Sequence, residues 1–217
     1  MAVGLRAFRL FHVDMSGKRL VIKLFFALTA ALVFFVGYSL GNRYARPGRD
    51  DLQAFVMPEP MPIEAVALED EAGRPFTTKD LEGHWNLVMA GDLGHPACRA
   101  LLVRYVLAWN WLADTPKLQE KTRVVFVDTA TPPRPAEARK RLIDFYNPAF
   151  VALGGPVEAQ RRLLTQLGVP AQALAAGVPC DDARSVVALI GPDAHLLALF
   201  TGMDDAKAIA HDLKFFR

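Results

Sequence analysis

The run LFFALTAALVFFVGYSL, Leu24–Leu40, holds 17 residues without a single charge. Extended back through Leu20, Val21, Ile22 and Lys23 it reaches the ~20 residues that cross a hydrocarbon core. Lys23 is compatible with that reading, because its stem can lie in lipid while its ammonium reaches the interface. Two other readings compete. A cleaved signal peptide has small residues at the right spacing in Gly37 and Ser39, but the run exceeds the usual ~7–15 residues of such a segment. A buried core helix is disfavoured by GNRYARPGRDD, which follows directly and reads as interfacial and then solvated. The retained anchor is the reading adopted.

Arg6, Arg9, Lys18, Arg19 and Lys23 precede or open the run, while Arg43, Arg46 and Arg49 behind it are offset by Asp50 and Asp51. This bias favours the N-terminus inside and the remainder exported. Residues 1–19 are then a cytoplasmic segment and 20–40 a transmembrane helix. The location expected is the inner (cytoplasmic) membrane, single-pass, with a periplasmic domain. Residues 41–61 turn to Arg, Asp, Pro and Met and end in VMPEPM. Closely spaced prolines favour extended backbone, so this stretch reads as a semi-rigid tether.

Across 217 residues the formal net charge is only +2 and the basic residues are scattered. Composition therefore gives no case for a nucleic-acid partner. Two cysteines cannot build a disulfide framework. They can make one bridge or serve as separate thiols.

From residue 62 onward, strand and helix patterns alternate. IEAVALED and EAGRPFT read as two short strands around a turn. WNLVMAG (Trp85–Gly91) and TRVVFVD (Thr122–Asp128) are short apolar runs of buried-strand type, and FVALGG is a third. Helices are expected at 96–113, over PAEARKRLIDFY, and over PVEAQRRLLTQLG with Pro156 at its start and Gly168 at its end. SVVALIGPDAHLLALF reads as a closing hairpin that adds an antiparallel edge. The last helix, MDDAKAIAHDLKFF, lines up Ile209, Leu213 and Phe216 on one face. This order implies a partly parallel sheet with helices on both faces. The fold class expected is α/β, a thioredoxin-like domain (62–217) following a single N-terminal transmembrane helix.

Chemistry concentrates in GDLGHPACRALL, where a strand ends and Cys98 opens a helix. LEDEAGRPFTTKDLEGHWNLVMAG leading into that loop, VVFVDTATPPRP and ALIGPDAHLLALF together resemble the SCO/SenC family. These are membrane-anchored, thioredoxin-fold copper chaperones of cytochrome c oxidase assembly. The resemblance spans roughly Pro62 to Phe216. It implies a copper site of two cysteines in a C-x-x-x-C loop and a distant histidine. The second cysteine falls on Cys98, the first on Gly94 or His95, and the histidine on Ala183. The partners it implies are a cytochrome oxidase subunit or other assembly factors, and the cofactor is copper.

Read from its own chemistry, Cys98 lies in the first turn of a helix, where free N–H groups favour a thiolate. It is the candidate catalytic residue, set against the alternative of a small buried apolar side chain. Cys180, in GVPCDDARS, precedes the strand expected beside the loop, and Pro179 is a candidate cis-proline. Cys98 and Cys180 could form a disulfide in an oxidising compartment. With His95 they could ligate a soft metal such as Cu(I). They could also be unrelated thiols, and sequence alone leaves the three open.

Lacking both CxxC and CxxxC, the chain reads more as an accessory factor than an enzyme. The alternatives are a copper-binding or thiol-redox protein with a relocated Cys98/Cys180 (His95) site, and a one-cysteine thiol peroxidase. For the last, Asp92, Leu93 and Gly94 supply no hydroxyl near the thiol. His84, His195 and His211 read as solvated, Asp92 as a turn-former, and TPPRP as a rigid loop. Ala138–Arg141 reads as a solvated basic face, and Trp109 and Trp111 as packed.

Overall fold

The computed structural model describes residues 14–44, 52–169, 180, 185–201 and 205–217. The chain divides into two compact units, Met1–Arg46 and Pro47–Arg217. In the first, one helix, α1, runs from Asp14 to Tyr44. Its stretch Arg19–Gly41 is 23 residues long and apolar enough to cross a membrane. At about 1.5 Å per residue that covers the ~30 Å hydrocarbon thickness. Its large side chains, Phe25, Phe26, Phe34 and Phe35 among them, are exposed on all sides. Apolar surface all round a helix suits lipid rather than water.

The second unit is built on a six-stranded sheet. Its strands are β1 (Phe55–Pro62), β4 (Trp85–Gly91), β5 (Thr122–Asp128), β6 (Val151–Leu153), β7 (Val186–Ile190) and β8 (His195–Thr201), in the order β1-β8-β7-β4-β5-β6. β4, β5 and β6 are parallel, while β7, β8 and β1 are antiparallel to their neighbours. A separate two-stranded ribbon pairs β2 (Ala67–Glu69) with β3 (Pro75–Thr77). The helices are α2 (Pro96–Trp111), α3 (Pro116–Lys121), α4 (Ala136–Asp144), α5 (Val157–Gln166) and α6 (Ala206–Phe216).

The two-residue strand period splits the core into two layers. Leu87, Met89, Val124, Phe126, Leu189 and Phe200 face α2 and α6, where they meet Leu101, Leu102, Tyr105, Ile209 and Leu213. Val88, Ala90, Val125, Val127, Ala188 and Ile190 face the other way, onto Leu163 and Leu164 of α5, Leu167 just after it, and Leu68 and Phe76 of the ribbon. Each completely buried phenylalanine contributes about 2–3 kcal/mol. Trp109 packs as expected. Its indole N–H donates to the carbonyls of Gln119 and Thr122, and its ring meets Phe150 edge-on.

Three expectations change. The tether read over 41–61 includes most of β1, because prolines at 58, 60 and 62 are tolerated on an edge strand whose outer N–H groups need no partner. The closing hairpin β7–β8 is consequently interior, with β1 covering its outer strand. Trp111 differs from its neighbour Trp109 in being 54% exposed.

Candidate functional site

β4 delivers the chain to the cysteine loop at Gly91, whose carbonyl accepts from the Thr129 amide just beyond β5. The loop then turns on Asp92. Its backbone carbonyl accepts from the His95 amide, and its carboxylate accepts from the Gly94 amide at 2.7 Å. Arg134, from TPPRP, spans the gap to β5. Its guanidinium donates to Asp92 at 2.8 Å and also to Asp128, the last residue of β5. Asp128 is buried, and its second oxygen accepts from the Leu93 amide at 3.2 Å. The Arg134 hydrogen bond, supported by the Gly94 amide, holds the Asp92 carboxyl below its ordinary range against the opposing effect of burial. Two carboxylates on one arginine thus fix the loop to the sheet.

α2 starts where it does because His95 caps it and Pro96 fills its first position. The imidazole Nδ1 of His95 accepts from the Ala97 amide at 3.3 Å. Accepting at Nδ1 leaves the ring proton on Nε2 in the neutral side chain. Cys98 follows in the first turn, and its sulfur is bonded to that of Cys180, 82 residues away, with the Cα atoms 4.7 Å apart. Both cysteines are buried, at 3% and 6% exposure. A Cβ on Gly91 would run into both sulfurs, so only glycine lets β4 pass behind the bridge. The Cys180 sulfur lies 3.6 Å from the Ala90 carbonyl oxygen. In the disulfide this is a contact, since neither sulfur carries a proton; in the reduced protein that thiol could donate to it.

Cys98 and Cys180 are therefore brought together, and of the three outcomes left open the structure takes the disulfide. In this state the pair offers no thiolate to a metal. Among the described residues no three His, Cys, Asp or Glu side chains gather as a metal-binding group. While bonded to each other, the two cysteines do not fit copper. Ala183 and Pro179 lie outside the described residues. Among the described residues the cis peptide is Thr131–Pro132.

The remaining candidates sort simply. The Nδ1 atoms of His84 and His195 lie beside the carbonyls of Glu82 and Asp193, and that of His211 beside the Asp212 carboxylate. Within Ala138–Arg141, Arg139 is not solvated. It is 4% exposed and donates to the carbonyls of Arg134 and Asp70. Its fork joins α4 to the loop that carries Arg134 and to the ribbon. The sequence reading missed Arg134, Asp128 and Gly91. The available signal was the aspartate ending β5, a charge at the end of an otherwise apolar run.

No family model matches the chain. A protein of Stutzerimonas stutzeri named for copper binding is 28% identical over 124 residues, covering 56% of this chain. The chain spans 59% of the length of that relative. Among solved structures, the apo Sco1 protein from Thermus thermophilus is similar at a TM-score of 0.58 and 23% identity, over 76% of this chain and 93% of that one. Bradyrhizobium japonicum ScoI with copper bound is similar at a TM-score of 0.56 and 20% identity, over 70% of this chain and 98% of that one. The thioredoxin-like fold and the resemblance to SCO/SenC proteins are borne out.

Proposed function

We propose that the chain is a membrane-anchored, SCO-like accessory factor of respiratory cytochrome oxidase assembly that works without conventional dithiol catalysis. The observation that carries this reading is the fate of the cysteine loop. The Sco fold is kept, while Cys98 is closed into a buried bond with Cys180 and residue 94 is a glycine whose side-chain position is taken by the Arg134 guanidinium. A buried bridge of this kind holds the domain together rather than exchanging with partners. Residues 20–40 cross the inner membrane, residues 1–19 stay on the cytoplasmic side, and the domain stands on the periplasmic side. Its partner is an oxidase subunit or another assembly factor.

The test is complementation in the host. Loss of the gene is expected to lower assembled oxidase, read from the haem a absorbance of membranes. A Cys98→Ala/Cys180→Ala double variant, at matched abundance, is expected to restore it. Failure to restore at matched abundance would overturn the reading.

A second reading is supported by where the bridge lies. It occupies the loop in which the SCO resemblance implies a copper site, and reduction would free two thiols, one of them three residues from His95 in the sequence. Two sulfurs and an imidazole suit Cu(I). A Cu(I) titration of the reduced full-length chain, against Cys98→Ser, Cys180→Ser and His95→Ala, decides it. Equal stoichiometry in all four proteins removes the copper reading.

A further inference from the structure

The sheet has a second end, away from the cysteine loop. Trp85 opens β4 and Gly91 closes it, so at about 3.3 Å per residue the two ends stand roughly 20 Å apart. At the Trp85 end lies a cleft of about 540 Å³, bounded by α3, the turn between β7 and β8 and the C-terminal end of α6. Its volume falls in the range of small-molecule sites, about 300–1,000 Å³. Trp85, Leu118 and Pro192 form its apolar side. Each is held in place: the Trp85 ring meets Phe216 of α6 at 6.5 Å between centroids, Leu118 is buried, and the Pro192 carbonyl accepts from the Gly83 amide at 2.8 Å. The helix that carries Phe216 is itself fixed, because the Asp212 carboxylate accepts from the amides of Gln53 and Ala54 at 2.9 and 2.8 Å. The apolar wall is therefore pre-formed.

Lys117 and Lys121 line the other side, one turn apart on α3 and so on one face. Both are exposed, and among the described residues neither has an ion-pair partner. Glu120 also lines the cleft and is unpaired as well. Arg217 brings a guanidinium and a main-chain carboxylate of opposite charge, so the positive excess is that of the two lysines over Glu120. The acids next to the lining are engaged elsewhere. Asp114 pairs with Lys214 at 2.7 Å, and Asp193 lies 3.3 Å from Nδ1 of His195.

We propose that this cleft binds a small aromatic carboxylate, its ring against Trp85, Leu118 and Pro192 and its carboxylate between the ammoniums of Lys117 and Lys121. Charge complementarity selects the anion, since two unpaired ammoniums gain charge-assisted hydrogen bonds from it. Glu120 disfavours a second negative charge on the same ligand. The indole edge and face favour a flat ring over an aliphatic chain.

The full-length chain in lipid nanodiscs is titrated into para-trifluoromethylbenzoate, whose fluorine NMR line width reports binding, with empty nanodiscs as the blank. Broadening beyond the blank is expected, and it should weaken as salt rises. Lys117→Gln/Lys121→Gln is expected to raise Kd about tenfold, the scale of one lost charge-assisted hydrogen bond. Glu120→Gln is expected to lower Kd, a gain that a misfolded variant would not show. The neutral para-trifluoromethylbenzamide should bind more weakly than the acid. A benzamide that binds as tightly as the benzoate, or a lysine variant that binds as tightly as the wild type, overturns the proposal. So does an absence of broadening with the probe at millimolar concentration.

Discussion

Arg134 fills the space into which a side chain at residue 94 would grow: its Nη2 lies 2.8 Å from the position of a Cβ built on Gly94. That atom is also the one paired with Asp92. At Gly94, one of the two positions on which the SCO resemblance places a first cysteine, this chain therefore has an ion pair. A cysteine at residue 94 would have to displace the guanidinium end of a long side chain, and the Asp92 pair with it.

Removing Arg134 should matter more for Asp128 than for Asp92. The Asp128 side chain is 1% exposed and would lose its cation, whereas Asp92 faces water on one side. Arg134→Ala is expected to cost about 2–4 kcal/mol, somewhat below the loss for a fully buried pair because Arg134 itself is partly exposed. Urea unfolding of the variant measures it. A change within ±0.5 kcal/mol would show that the clasp does not hold the loop.

The bridge between Cys98 and Cys180 closes a loop of 82 residues. Chain entropy alone makes that worth about 4.5 kcal/mol. The double alanine variant should lose stability on that scale. The wild-type chain should show no thiol to alkylating reagent until it is both denatured and reduced, which intact mass would detect.

Acid should weaken the domain through a group of aspartates. Thr77 hydrogen bonds hold Asp80 below its ordinary range, and Arg134 does the same for Asp92. Burial pushes Asp70 up, but the Arg74 and Ala72 amides and the Arg74 guanidinium carry it lower on balance. Carboxyls depressed in the folded state add stability that is full above their unfolded value of about 4. It is lost as pH falls from there through the lower folded values. Urea midpoints followed from pH 7 to pH 2 should fall in that window, and Asp92→Asn should flatten part of the slope.

Gly154 and Arg139 give a test of backbone approach. A Cβ on Gly154 would strike the Arg139 guanidinium, which is enclosed by α4, the ribbon and the loop after β5. Gly154→Ala is expected to destabilise by about 1–3 kcal/mol, in the range of an overpacked site. Thermal melts would register the loss. A neutral result would mean the arginine has room to withdraw.

The local grammar of this fold was legible. β4 and β5 stand where their apolar runs lie, and α2 starts at the proline expected to open it. These are decided by neighbours in sequence. What sequence left open is long-range or depends on which way one side chain turns. The bond from Cys98 to Cys180 joins residues 82 apart, and nothing local distinguishes it from two separate thiols. Arg139 sits in a basic run that looks solvated, yet backbone carbonyls of two other segments draw it inside. The prolines of β1 read as a semi-rigid tether because they favour extended backbone, and the edge of a sheet is an extended position that permits them.

The grip of Asp212 on Gln53 and Ala54 sets how the domain carries mechanical load. Tension arriving along the chain from its N-terminal side meets a charge-assisted double hydrogen bond to a buried carboxylate before it reaches Phe55, the first residue of β1. The pull passes into α6 and the core beneath it. β1 is therefore shielded from being peeled off β8 one residue at a time.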